Sequence, residues 1–293
     1  MYRYLLNGNN LCDLNNGNIQ NRQFKLFTKR QINKLKYSST KYIDEGHYAY
    51  IYIDNNLGHF LHDSFLLFYS QWKLNKKRIY FKLYNQYFYD YVKAIIGEEY
   101  LIKIEDDVLY YFKNLHIVKE HISKNLQHIQ NYIGLLKEIK TKCFNYYNII
   151  ENRTEILMYG REDLSRKKLL NINYDKLKET NITSITNMSS LTFEETLKLL
   201  SKCGIFIYVF GAGIFYLQFL DNNVNVLEIH SNIGISWTSI YGLSNICNLQ
   251  IYVSKNTCEN EISKKGIGQK IKELDKDIIY DNNLEKYILN YIS

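Results

Sequence analysis

A chain of 293 residues exceeds one average domain, and 46% apolar residues suffice to build cores, so global disorder is excluded. The formal net charge is +7, with basic residues crowded over 22–36 and 73–82. In a lysine-rich chain this reads as a solvated basic face rather than a nucleic-acid footprint, and its field would attract a nucleotide diphosphate or an anionic glycan.

Cys12, Cys143, Cys203, Cys247 and Cys258 are odd in number, scattered and without a CxxC pair. That argues for reduced thiols in a cytosolic setting and against a zinc site. No signal peptide is visible after Met1-Tyr2-Arg3, so the expected location is cytoplasmic. Proline is absent where usage of roughly 5% would place about 15. With Asn, Ile, Lys and Tyr abundant, this is the composition of an AT-rich genome, as in some bacteria and large DNA viruses. It makes Asn, Lys and Tyr weak markers of function.

In chain order, residues 1–46 are polar and read as short strands and loops. Residues 48–53 alternate apolar and aromatic side chains, a strand. Asp54-Asn55-Asn56 then offers turn and cap groups before a largely buried helix over 59–68. Residues 78–84 read as a strand, 86–96 as a helix, and 100–104 and 108–112 as further strands. A long helix over 125–147 and a linker at 148–153 would close a first α/β domain, 1–150.

The second domain, 151–293, begins with a strand at 155–159 and a charged loop at 160–168. A helix over 174–179 and a strand over 182–185 follow. Thr192-Phe193-Glu194-Glu195 fits a capping box that opens a helix over 193–201. Next comes an apolar strand at 205–209, Gly211-Ala212-Gly213, a helix at 214–220 and a strand at 224–229 carrying Glu228. That is the grammar of a nucleotide-binding α/β unit, in which glycines let the backbone approach a phosphate and the amides of the next helix face it. The uncharged run 203–220 is 18 residues long, at the lower limit for crossing a bilayer. Its glycines, its glutamine and the capped helix before it argue against a membrane span. A helix near 237–243, a strand at 249–254 and a mostly helical tail over 262–292, able to pack back on the first domain, complete a parallel, doubly wound reading.

Two constellations could carry chemistry. His59 and Asp63 lie four residues apart on a helix, near its start, where exposed amides favour an ionised carboxylate suited to a general base. His62 would point elsewhere, and a metal reading of the three lacks further ligands. Arg161 and Arg166, with Lys167, Lys168 and Asn171, follow a strand's carboxyl end, where such sheets bind ligands and where guanidinium groups suit phosphate oxygens.

Together these stretches resemble glycosyltransferase family 61, the group that includes plant β-1,2-xylosyltransferase and secretory-pathway O-linked GlcNAc transferases. The resemblance rests on Gly58-His59-x-x-x-Asp63, then Met158-Tyr159-Gly160-Arg161 with Ser165-Arg166 and Asn171, then Leu191-Thr192-Phe193-Glu194-Glu195. Gly211-Ala212-Gly213 and Val226-Leu227-Glu228-Ile229 complete the series. It runs from about 51 to 231 and is densest over 156–229. It implies a GT-B-like α/β fold, two Rossmann-like domains facing a cleft. It also implies inverting transfer from a nucleotide sugar, usually a UDP-sugar, to a glycan or glycoprotein hydroxyl without an essential metal or other cofactor. By the same resemblance Arg161, Arg166, Gly211, Ala212, Gly213 and Glu228 would bind the donor. Phe210 departs from the pattern, since the family commonly has histidine before Gly-Ala-Gly. The alternatives are a catalytically degenerate nucleotide- or glycan-binding protein and a basic nucleic-acid-binding protein.

Overall fold

The computed structural model describes residues 4–7, 10–13, 25–26, 31, 37–52, 54–117, 132–164, 167–185, 187–231, 243–260 and 276–293. The chain is a mixed α/β protein of two compact units, Met1–Leu135 and Leu136–Ser293. The expected boundary was 150/151; the units divide inside the helix Tyr132–Tyr146. Among the described residues no helix is long and apolar enough to cross a membrane.

The first unit is built on a seven-stranded sheet. Its strands are β1 (Tyr4–Asn7), β2 (Asn10–Asp13), β3 (Lys25–Leu26), β4 (Ser39–Tyr52), β5 (Ile79–Leu83), β6 (Leu101–Lys103) and β7 (Val108–Ile117), in the order β3-β2-β1-β7-β4-β5-β6. β4 lies parallel to β5 and β7, and β1 runs antiparallel to β7 and β2. β4 is longer than its apolar alternation predicts. Its exposed first half is held by backbone pairing to β7 from Ser39↔Val108 onward, which side-chain hydropathy does not report.

The helical segment after β4 was expected over 59–68 and runs from Leu57 to Asn75, with the Asn56 side chain capping its start by accepting from the His59 amide at 3.1 Å. It is three pieces: α1 (Leu57–His59), a π-helical turn Phe60–Phe65, and α2 (Leu66–Asn75). α3 (Gln86–Ile96) starts on an Asn85 cap and stops at Gly97. Period-two alternation puts Tyr48, Tyr50 and Tyr52 on one face of β4, where they meet the aromatic rings of these helices. Tyr50 stacks on Phe68 at 4.3 Å, Tyr52 meets Phe60 edge-on at 5.1 Å, and Phe60 meets Phe88 at 4.6 Å.

The second unit begins inside α4 (Tyr132–Tyr146), at Leu136. Its main sheet holds β8 (Glu155–Tyr159), β10 (Ile182–Ile185), β11 (Cys203–Val209), β12 (Asn225–His230) and β13 (Asn248–Val253), all parallel, in the order β10-β8-β11-β12-β13. α5 (Tyr174–Glu179) links β8 to β10, and α6 (Phe193–Leu200) precedes β11. The capping box is present, with Thr192 accepting from the Glu195 amide and Glu195 accepting from the Thr192 amide. The helix after the glycines is a 3-10 helix, Ala212–Phe219, and it begins directly on Gly211 rather than at 214.

The tail reading needs correction. Residues 261–275 lie outside the described residues, as do 237–242 of the helix expected near 237–243. Asp277–Ile279 is not helical but a strand, β15, parallel to β9 (Leu169–Leu170) and antiparallel to β14 (Thr257–Cys258). Ile278 is 1% exposed, so strand pairing and burial override local propensity there. Among the described residues of the tail, α7 (Asn282–Ile292) is helical, and its Leu284 and Ile288 pack with Met158, Ile207 and Leu227 of this unit's sheet.

Candidate functional site

In an all-parallel sheet every carboxyl end falls on one edge. Counted in chain order, the five strands run 2-1-3-4-5. The chain leaves β8 toward β10 and leaves β11 toward β12, in opposite directions. That reversal of direction is a topological switch point, the place where open parallel sheets generally bind ligands beyond the strands' carboxyl ends. The two loops concerned are 160–168 and 210–213, the stretches that carry Arg161 and the glycines.

The described residues of the first loop are pinned on both sides. Leu169 N–H donates to the Gly160 carbonyl at 2.8 Å, closing its base, and Lys168 N–H donates to Asp277 Oδ1 at 3.0 Å. Glu162 bonds the Tyr174 hydroxyl. Asp163 accepts from Tyr159 Oη at 2.9 Å and from Ser189 N–H at 3.0 Å. Burial raises the Glu162 carboxyl above its ordinary value, helped by Asp163, and burial likewise pushes the Tyr159 hydroxyl well up. Arg161 sits at φ +62° and is 5% exposed, so it is no solvated turn residue. A buried guanidinium is costly unless its surroundings are arranged for charge.

The second loop continues β11. Phe210 N–H donates to the Ile229 carbonyl at 2.9 Å, holding the turn to β12. Gly211 has φ +150°, a conformation that side chains rarely allow, and a Cβ there would overlap the Arg161 guanidinium, 2.6 Å from Cζ. The guanidinium therefore packs directly on the Gly211 backbone. Gly213 lies over the Tyr208 ring, where a Cβ would come within 2.9 Å of Cδ2. The 3-10 helix starts without a side-chain cap at Gly211.

Beneath this turn is a polar row. Tyr159, Tyr208 and Glu228 are register partners across β8, β11 and β12, on one face of the sheet. Glu228 is 0% exposed; its Oε2 accepts from the Tyr208 hydroxyl and its Oε1 is bonded to His230 Nε2. The His230 ring stacks on Phe210 at 4.4 Å with 22° between planes, and Lys167 Nζ lies 4.9 Å from the Phe210 ring centroid. A cleft of about 530 Å³ opens two strands away at the end of β13, lined by Tyr252, Lys255, Asn256, Asp281 and Asn283.

Thus Arg161, Gly211, Gly213 and Glu228 share one sheet edge, with Ala212 between the two glycines. Arg166 lies outside the described residues. His59 and Asp63 belong to the first unit. His59 is exposed, and Asp63 falls on the π-helical turn with its side chain outside the described residues. The π-helical turn replaces part of the α-helix expected over 59–68. His62 is buried, 2% exposed, with Nδ1 2.5 Å from Tyr132 Oη.

His230 and Tyr208 are the residues that sequence reasoning missed. Glu228-x-His230 at a strand end was the available signal, because alternate residues share a face.

Cys143, Cys203, Cys247 and Cys258 are unbridged, and burial pushes the Cys203 and Cys247 thiols up to about 12, so both stay protonated and poorly nucleophilic. Among the described residues no three or more His, Cys, Asp or Glu side chains form a group able to hold a metal ion. No protein-family model matches the chain, and comparison with curated proteins finds no match.

Proposed function

We propose that the chain is an inverting glycosyltransferase of the GT-B type that uses a nucleotide-sugar donor, a UDP-sugar by its resemblance to family 61. The two units would be the halves of that architecture. The observation that carries this reading is the packing of the Arg161 guanidinium on Gly211 at the switch point of the parallel sheet. A positive group and an uncapped helix start, brought side by side from two loops, suit the diphosphate of the donor.

In this reading the acceptor hydroxyl oxygen attacks the anomeric carbon while the carbon–oxygen bond to the diphosphate breaks. The bonding pair leaves with the nucleotide diphosphate, and Arg161, with Arg166, offsets the charge that develops on it. Asp63, on the π-helical turn of the first unit, takes the acceptor's proton. Glycans and glycoproteins are the acceptors the reading implies, and the arginines supply the charge that a metal would otherwise provide.

Calorimetric titration with UDP and a donor-hydrolysis or transfer assay test the reading together. Arg161→Ala should weaken UDP binding by about tenfold or more, the loss of one charge-assisted contact. Asp63→Asn should abolish transfer and leave UDP affinity nearly unchanged. A wild-type chain that ignores UDP, an Arg161→Ala variant with unaltered affinity, or full transfer by Asp63→Asn each counts against it. Binding without transfer or hydrolysis would favour the degenerate nucleotide-binding alternative.

A further inference from the structure

Glu228 is the most deeply enclosed carboxylate of the second unit's sheet, and its position raises a physical question. An ionised carboxyl at 0% exposure is tolerated only when its oxygens are well satisfied. Here one oxygen is held by Tyr208 Oη from β11, and the other by His230 Nε2 from two residues further along β12. While the carboxylate is ionised it only accepts, so Nε2 is the nitrogen that carries hydrogen. At 0% exposure Glu228 presents no open surface to a ligand at the sheet edge.

Each partner leads to a different end of the glycine turn. The Tyr208 ring lies directly under Gly213, and the His230 ring lies under Phe210. Phe210 and Gly213 bracket Gly211, on which the Arg161 guanidinium rests. One carboxylate thus joins two rings on adjacent strands, and those rings support both ends of the turn. We propose that Glu228 is a positioning residue: through Tyr208 and His230 it fixes the turn 210–213, and with it the seat of Arg161, without touching the ligand. The role given to the ligand rests on the nucleotide-binding reading above; the clamp itself does not. Preorganisation of this kind suits a site whose donors must not reorganise when charge arrives.

Two measurements on the full chain test it: amide hydrogen exchange across 210–214, and calorimetric titration with UDP. Glu228→Ala removes both supports. Exchange at the turn amides should speed up by about tenfold relative to the amides of β8 and α6, and UDP affinity should fall by about tenfold, as expected for one lost buried hydrogen bond or more. Glu228→Gln keeps both bonds, its amide oxygen accepting from His230 and its amide N–H donating to Tyr208 Oη. It should stay within about threefold of wild type in both measurements. Tyr208→Phe, which removes one support only, should fall between the two and serves where Glu228→Ala does not fold.

Wild-type exchange at 210–214 in Glu228→Ala or Tyr208→Phe would overturn the clamp. So would a Glu228→Gln variant with an unchanged turn that loses UDP affinity as fully as Glu228→Ala, because that would mean direct contact by the charge. If the wild-type chain does not bind UDP at all, the transferase reading falls while the exchange measurement still decides the clamp.

Discussion

On β4 of the first unit, Tyr48, Tyr50 and Tyr52 are almost fully buried along one face, as Tyr159 and Tyr208 are on β8 and β11 of the second. Their hydroxyls end differently. Tyr52 donates to the Asn56 carbonyl at 2.7 Å, Tyr48 points to the Gln71 carbonyl at 3.4 Å, and Tyr50 pairs with Ser64 Oγ at 3.1 Å. In the second unit Tyr159 donates to Asp163 and Tyr208 to Glu228. Neutral partners along the following helical segment tie strand to helix. Carboxylates at the carboxyl edge instead carry charge to the point where loops leave a parallel sheet, and there the polar row continues to His230, Phe210 and Lys167. The same residue type thus does packing work in one unit and supports a candidate site in the other.

The largest effect expected from this contrast lies in the first unit's aromatic core. Phe60 is 0% exposed and meets Tyr52, Phe65, Phe88 and Tyr91. Phe60→Ala should cost about 3–5 kcal/mol in urea unfolding, the range for a buried aromatic replaced by a cavity. A loss near 1 kcal/mol would show that this core is not what holds the unit together. The next effect sharpens the comparison directly. Tyr208→Phe strips a donor from an enclosed carboxylate and should cost about 1–3 kcal/mol, whereas Tyr52→Phe deprives a partly accessible carbonyl and should cost about 0.5–1.5 kcal/mol. Equal costs would erase the distinction between the two kinds of buried tyrosine.

Much of the fold was legible because local signals agreed with the final pairing. Both α3 and α5 fall on the residues expected, 86–96 and 174–179, and the structure adds that Asn85 and Gly97 bracket the first and Asn173 caps the second. Where local signals were silent, the reading slipped. The segment 213–219 is buried all round, so its apolar pattern could not separate a 3-10 helix from an α-helix. β15 is strand only because β9 and β14 flank it, a non-local fact. The glycine turn and Arg161 were legible because loops after strands in such sheets are where ligand groups gather. Tyr208 was discounted as one more tyrosine in a tyrosine-rich chain. Its link to Glu228 depends on the β11–β12 register, which no single segment encodes.

The smallest effect concerns how each unit starts a helix. α6 opens on a reciprocal box: Glu195 N–H donates to Thr192 Oγ1 at 3.2 Å, and Thr192 N–H donates to Glu195 Oε2 at 2.8 Å. α3 opens on a single bond, from Phe88 N–H to Asn85 Oδ1 at 3.2 Å. Thr192→Ala and Asn85→Ala should each cost about 1 kcal/mol, the usual worth of an N-cap side chain. Their pH dependence should differ. The Thr192 backbone N–H, and then its side chain, hold the Glu195 carboxyl below its ordinary value. A depressed carboxylate contributes stability that is complete above its unfolded value and is lost as pH falls through the lowered folded one. The backbone part of that contribution survives in Thr192→Ala, so the variant's stability should still decline with acid across that window, less steeply than wild type. Parallel wild-type and Thr192→Ala curves from urea melts at pH 3 to 6 would mean that the Thr192 hydroxyl takes no part in holding the charge.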